Sequence, residues 1–140
     1  VTRGQLGTIL YRIAGSPSVE GKSHSFTDVD AGRFYTDAVI WAYSEGIVKG
    51  MTDTTFEPNT AISRQQIVTI LYRYDKAEKV AEDHLAGFAD AKTVSNFAKD
   101  AMNWAIANGI VNGVTSTTLE PAATATRAQI CAIMMRYLEK

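Results

Sequence analysis

The chain contains one pattern twice. One copy opens at Phe26, "FTDVDAGRFYTDAVIWAYSEGIVKGMTDTTFEPNTAISRQQIVTILYRY", and the other at Phe88, "FADAKTVSNFAKDAMNWAIANGIVNGVTSTTLEPAATATRAQICAIMMRY". Trp41 and Trp104, Gly46 and Gly109, Gly50 and Gly113, Pro58 and Pro121, and Arg64 and Arg127 are each 63 residues apart. The opening "VTRGQLGTILYRI" is a third, partial copy: Arg3, Gln5 and Leu10 precede Arg64, Gln66 and Leu71 by 61. A repeat of this length is one supersecondary unit that buries its apolar face by stacking on its neighbours. The expected division is 1–14 as the last helix of a truncated repeat, 26–75 as a second repeat and 88–140 as a third.

Each unit reads as helix, loop, helix. Phe34, Ala38, Trp41 and Ala42, and likewise Phe97, Ala101, Trp104 and Ala105, follow helical spacing, predicting helices over 34–45 and 97–108. Gly46 and Gly109 stop them at the position after the C-cap, where a positive φ is needed. A loop rich in Gly, Thr, Asp and Pro follows, with room for very short strand-like pairings. The second helix starts at a capping box, Thr2/Gln5, Ser63/Gln66 and Thr126/Gln129. It carries an apolar stripe: Leu6, Ile9, Leu10, Ile13; Ile67, Ile70, Leu71, Tyr74; Ile130, Ile133, Met134, Tyr137. Three equivalent stripes predict an all-α fold, a central three-helix bundle with helix-loop prongs around it.

Composition narrows the function. Of 140 residues, 46% are hydrophobic and 21% charged, and the net charge is −1. That is an ordinary globular balance without the basic face of a nucleic-acid binder. No apolar run approaches a membrane span. No nucleophile–base constellation, phosphate loop or metal-spaced cluster is present, so neither enzyme activity nor a cofactor is expected. His24 and His84 lie singly in polar linkers, which argues against metal ligation. Asp28, Asp30 and Asp37 lack the glycine and terminal glutamate of a calcium loop and read as caps and turns. The single cysteine, Cys131, is expected to be a small buried apolar side chain and leaves the redox compartment open. The chain begins inside a motif at Val1, so the absence of a leader is uninformative.

The anomaly is electrostatic. Arg3, Arg64 and Arg127 each directly follow an N-cap, facing the positive end of the helix dipole at a cost of a few tenths to about 1 kcal/mol. Two readings stand. The arginines pair with acidic residues such as Asp28 or Asp90, or they join the free N–H groups of the helix end in binding an anion. Arg12, Arg73 and Arg136, near the C-terminal helix ends, suit the dipole and read as structural. Trp41 and Trp104 read either as core or as flat faces for a sugar ring.

The Phe-x-Asp opening, Trp-Ala-x-x-x-Gly-Ile-Val-x-Gly, the Phe/Leu-x-Pro turn and Ser/Thr-Arg-x-Gln resemble the S-layer homology family over nearly the whole chain. The resemblance implies a three-pronged, pseudo-threefold helical domain that anchors proteins at the bacterial cell surface, outside the cell. The implied partner is a secondary cell-wall polysaccharide, often pyruvylated, held in grooves between prongs. The implied ligand-binding residues are Arg3, Arg64 and Arg127, Trp41 and Trp104, and Gly50 and Gly113. The motif's usual Glu is Gln5, Gln66 and Gln129 here, and its turn Asp is Asp53 in one repeat but Ser116 in the other. The alternative is a protein–protein or self-assembly module, a homo-oligomer formed through the bundle face that the missing prong leaves uncovered.

Overall fold

A computed structural model describes all residues, 1–140. The chain is all-α and has five α-helices, α1 (Arg3–Ile13), α2 (Thr36–Ser44), α3 (Arg64–Asp75), α4 (Lys99–Ala107) and α5 (Arg127–Glu139). Two short 3₁₀ turns, Ala91–Thr93 and Asn96–Ala98, precede α4. The chain divides into two compact units, Val1–Ile62 and Ser63–Lys140.

The capping boxes form as expected at α1, α3 and α5. Thr2, Ser63 and Thr126 accept the N–H of Gln5, Gln66 and Gln129, and each glutamine oxygen accepts the cap residue's own N–H at 2.9–3.0 Å. A neutral glutamine therefore suffices where glutamate is usual. The loops meet the caps through isolated antiparallel bridges, Thr2 with Ala61 and Ser63 with Thr124.

The first helix of each repeat is shorter than its periodicity suggested. α2 begins at Thr36 because the Thr36 hydroxyl, accepting the Arg33 N–H and donating to the Asp30 carbonyl, holds the preceding residues in a turn. Phe34 stays outside, 62% exposed, and Phe97 lies in a 3₁₀ turn at 55%. Both helices stop at the expected glycine. Gly46 and Gly109 take φ of +74° and +70°, and the next N–H, of Ile47 or Ile110, returns to Ala42 or Ala105.

In the first unit, α1 packs on α2, with Tyr11 and Trp41 ring to ring at 5.6 Å. α1 does not use its whole apolar stripe. Leu6 and Leu10 are buried, but Ile9 and Ile13 remain more than a third exposed, and the face that is buried instead includes Gly4, Gly7 and Thr8. Glycine at position 4 lets neighbouring backbone approach closely: a Cβ there would lie 2.9 Å from the Pro58 carbonyl oxygen and 3.2 Å from the Tyr35 ring. In the second unit α3 packs on α4, and Trp104 lies against Tyr72 at 5.6 Å and Tyr137 at 6.2 Å. Tyr137 donates to the Asp75 carboxylate at 3.0 Å, tying α5 to the end of α3.

Cys131 corrects the expectation of burial. It is exposed on α5, as are Ala128, Met135 and Leu138 on neighbouring turns. The matching residues of α3, Gln65, Val68 and Tyr72, are buried or half-buried, and Tyr72 packs on Trp104. The burial of that position thus depends on a neighbouring helix, which α5 lacks on this face.

Candidate functional site

The site is built outward from an aspartate. In the first unit the Asp28 carboxylate accepts the N–H of Phe56 and of Glu57, at 2.9 and 2.8 Å. In the second, Asp90 accepts Leu119 and Glu120, both at 2.8 Å. These bonds clamp a turn in which Glu57 and Glu120 take left-handed φ of +59° and +48°, a conformation that costs a non-glycine residue about 1–2 kcal/mol. The Asp of the Phe-x-Asp motif is therefore a turn clamp. The bond to the Leu119 N–H, followed by that to Glu120, holds the Asp90 carboxyl below the ordinary carboxylate range. A depressed folded pKa contributes stability above the unfolded value, about 3.9, that is lost as pH falls through the folded one. Asp90→Asn is expected to destabilise by about 1–2 kcal/mol at pH 7. The gap from wild type should narrow below about pH 4, and urea unfolding at pH 7 and pH 3 reads both quantities.

The clamped turn presents its carbonyls to a helix end. The Phe56 carbonyl accepts Arg3 Nε at 2.7 Å, and the Leu119 carbonyl accepts Arg64 Nε at 2.9 Å. Pro58 and Thr60 accept the N–H groups of Gly4 and Arg3, while Pro121 and Ala123 accept those of Gln65 and Arg64. The backbone N–H groups expected to be open to an anion at α1 and α3 are thus already bonded. The misplaced arginine is held by a loop carbonyl, which offsets its dipole penalty. Arg3 and Arg64 are 5% and 6% exposed, and the Arg3 guanidinium also lies 4.7 Å over the Phe56 ring. α5 differs: Arg127 is exposed, and no carbonyl accepts the N–H of Arg127 or Ala128.

The second unit has a cleft of about 240 Å³. Arg64, Arg136, Gln129, Asn112 and Gly113 line it, along with a few apolar side chains, and no Asp or Glu does. Burial lowers the Arg64 pKa, exposed Glu120 raises it and Arg136 lowers it further; a guanidinium nonetheless keeps its charge in a protein. The Nε–Leu119 bond is the one hydrogen bond of the Arg64 side chain, which leaves the other guanidinium donors for the cleft. Arg64 and Gly113 are thus brought together as the sequence suggested. Trp104, at 4% exposure among aromatic rings, is not in the lining, and Trp41 is equally buried. Gly50 and Gly113 take φ of +90° and +93° inside their own turns. A cleft of about 280 Å³ in the first unit gathers Arg12, Arg33 and Phe34 but also Asp37, and Arg33 lies 3.9 Å from the Asp30 carboxylate. Sequence reasoning missed Arg136, Asn112 and Gln129 as cleft residues. Repetition of Phe-x-Asp was the available signal for the Asp28 and Asp90 clamps.

Known proteins share this sequence pattern. The S-layer homology domain family matches residues 25–68 and 87–131. A surface-layer 125 kDa protein of Lysinibacillus sphaericus is 36% identical over 82% of this chain, which spans 10% of that protein. An amylopullulanase of Thermoanaerobacterium thermosulfurigenes is 32% identical over the whole chain, which spans 8% of it. A cellulosome-anchoring protein of Acetivibrio thermocellus is 25% identical over the whole chain, with 32% of its own length covered. The two matched repeats place the chain in the S-layer homology family, whose domain is a non-catalytic anchoring module of the cell surface and cell wall.

Proposed function

We propose that this chain anchors a larger polypeptide by binding an acidic, pyruvylated secondary cell-wall polysaccharide. The repeats would be 26–75 and 88–140, preceded by a partial one at 1–14. The observation that carries the reading is Arg64: a buried cation, pinned by one nitrogen, lining a cleft with no carboxylate in its wall. Such a group is poised for a charge-assisted, bidentate bond to a carboxylate. A ketal-linked pyruvate supplies one. Gly113 keeps the backbone low at the cleft wall. Arg3 and Arg127, with Gly50, are the equivalent groups of the other repeats, and Trp41 and Trp104 act by holding the helices that frame each groove.

Calorimetric titration with purified pyruvylated wall polymer tests this. Arg64→Gln, checked for folding by circular dichroism, is expected to bind about tenfold or more weakly, since a hydrogen bond to a charged group is worth about 1.5–3 kcal/mol. Equal affinity of the variant and wild type would sink the assignment.

One observation favours a second reading. The exposed α5 face with Cys131, Met135 and Leu138 suits contact with another protein or a second copy. A mass that rises with concentration, together with loss of Cys131 reactivity toward a maleimide, is its expected signature.

A further inference from the structure

We propose that Arg136 is the second cation of the Arg64 cleft, so that the cleft takes an ionised carboxylate held between two guanidinium groups. The inference rests on the reading of that cleft as an anion site and adds a specificity-determining residue to it.

Arg64 stands in the first turn of α3 and Arg136 in the last turn of α5, yet both line the same cleft. The helix dipole accounts for an arginine near the end of α5. It does not account for a side chain directed toward another cation. Arg136 is half-buried and its side chain makes no hydrogen bond or ion pair, in contrast to Lys140 nearby on the chain, which pairs with Asp75 at 3.3 Å. The two arginines sense each other, since the charge on Arg136 lowers the pKa of Arg64. Like charges converging without a carboxylate in the lining are unfavourable until an anion arrives. The same wall offers further donors. Gln129 uses its oxygen on the Thr126 N–H, leaving its amide N–H groups without a partner, and the Asn112 side chain makes no hydrogen bond. Two guanidinium forks and two amides around about 240 Å³ suit one carboxylate with the hydroxyls of a sugar ring beside it. A neutral glycan would leave both cations unpaired.

The test titrates wild type, Arg64→Gln, Arg136→Gln and Arg136→Lys with pyruvylated wall polymer and with the same polymer after mild acid has removed the ketal. The expected result is a loss of about tenfold for Arg136→Gln on the pyruvylated polymer, a smaller loss for Arg136→Lys, and no difference among the proteins on the stripped polymer. Arg136→Gln binding like wild type while Arg64→Gln fails would overturn the role of Arg136 and leave the anchoring function standing. If wild type binds neither polymer, the anchoring reading fails, and thermal unfolding in sodium pyruvate against sodium chloride at equal ionic strength decides the clamp alone. A rise in Tm with pyruvate for wild type, absent in Arg136→Gln, would support it, and equal responses would overturn it. The lysine variant keeps the comparison open should the glutamine variant fold poorly.

Discussion

Gly50→Ala is expected to destabilise the protein by about 3 kcal/mol, although it adds only a methyl group. Gly50 takes φ of +90°. A Cβ there would lie 2.4 Å from Phe26 Cε1, 2.5 Å from the Thr52 carbonyl oxygen and 2.7 Å from that of Thr55. Neither the Thr55 carbonyl nor the Phe26 ring can move away freely. The Thr55 oxygen accepts the N–H groups of Met51 and Thr52, and Phe26 packs on the buried Phe56. Left-handed strain and contact with fixed backbone therefore add. Gly113→Ala should behave alike but more mildly, since its nearest ring atom, Phe88 Cε1, is 3.0 Å away. Gly7→Ala is the control. Gly7 lies inside α1, and a methyl group added there would meet nothing within 4 Å. Alanine at that position is expected to stabilise by about 0.5–1 kcal/mol through the unfolded chain and helix propensity. Urea unfolding of the three variants checks the order. A neutral Gly50→Ala would mean that the turn is not held as described.

Trp104→Ala carries the other large effect, about 3–5 kcal/mol, the range for truncating a buried large aromatic side chain. The indole is 4% exposed, with Tyr72 and Tyr137 against it and the Lys140 ammonium 5.9 Å from its ring. Removing it leaves a cavity between α3, α4 and α5 and loosens the end of α5 that carries Arg136. Trp104→Phe keeps an aromatic body and is expected to lose less stability. The pair separates packing from sugar contact. If the tryptophan acts by holding helices, Trp104→Phe should bind wall polymer within about threefold of wild type, a change of under 1 kcal/mol, while Trp104→Ala should lose binding in step with its folded fraction. A well-folded Trp104→Phe with no affinity would show instead that the indole itself meets the ligand.

Much of the fold was legible because its signals are local. A capping box needs only a hydroxyl and a glutamine three residues apart, and all three formed. The glycine stops at 46 and 109 rest on one backbone conformation each. Periodicity misled where a neighbour decides burial. Phe34 keeps helical spacing with Ala38 and Trp41, yet it lies in the turn before α2 and faces solvent. Ile9 and Ile13 keep the stripe of α1, but α1 buries the side carrying Gly4, Gly7 and Thr8. Cys131 looked apolar and central, and its face of α5 has no helix across it.

The candidate site divides in the same way. Arg64 and Gly113 could be named from the chain because the repeat marks them. The role of Asp90 could not, since its carboxylate acts on N–H groups 29 and 30 residues away, a pairing that no local pattern encodes. Nor could that of Arg136, whose sequence position suits a helix C-terminus and whose place in a cleft depends on where α5 lies against the loop at 111–114. Local chemistry along the chain sets where helices begin and end, and gives three of them the same cap and the same arginine. Those features arise from interactions within a few bonds of one another. Folding in three dimensions was needed to bring loop carbonyls onto the helix N–H groups, to make the tryptophans core, and to line one cleft with two arginines. Each of these depends on groups far apart in the chain, and burial determines which of their hydrogen bonds and charges are left for a ligand.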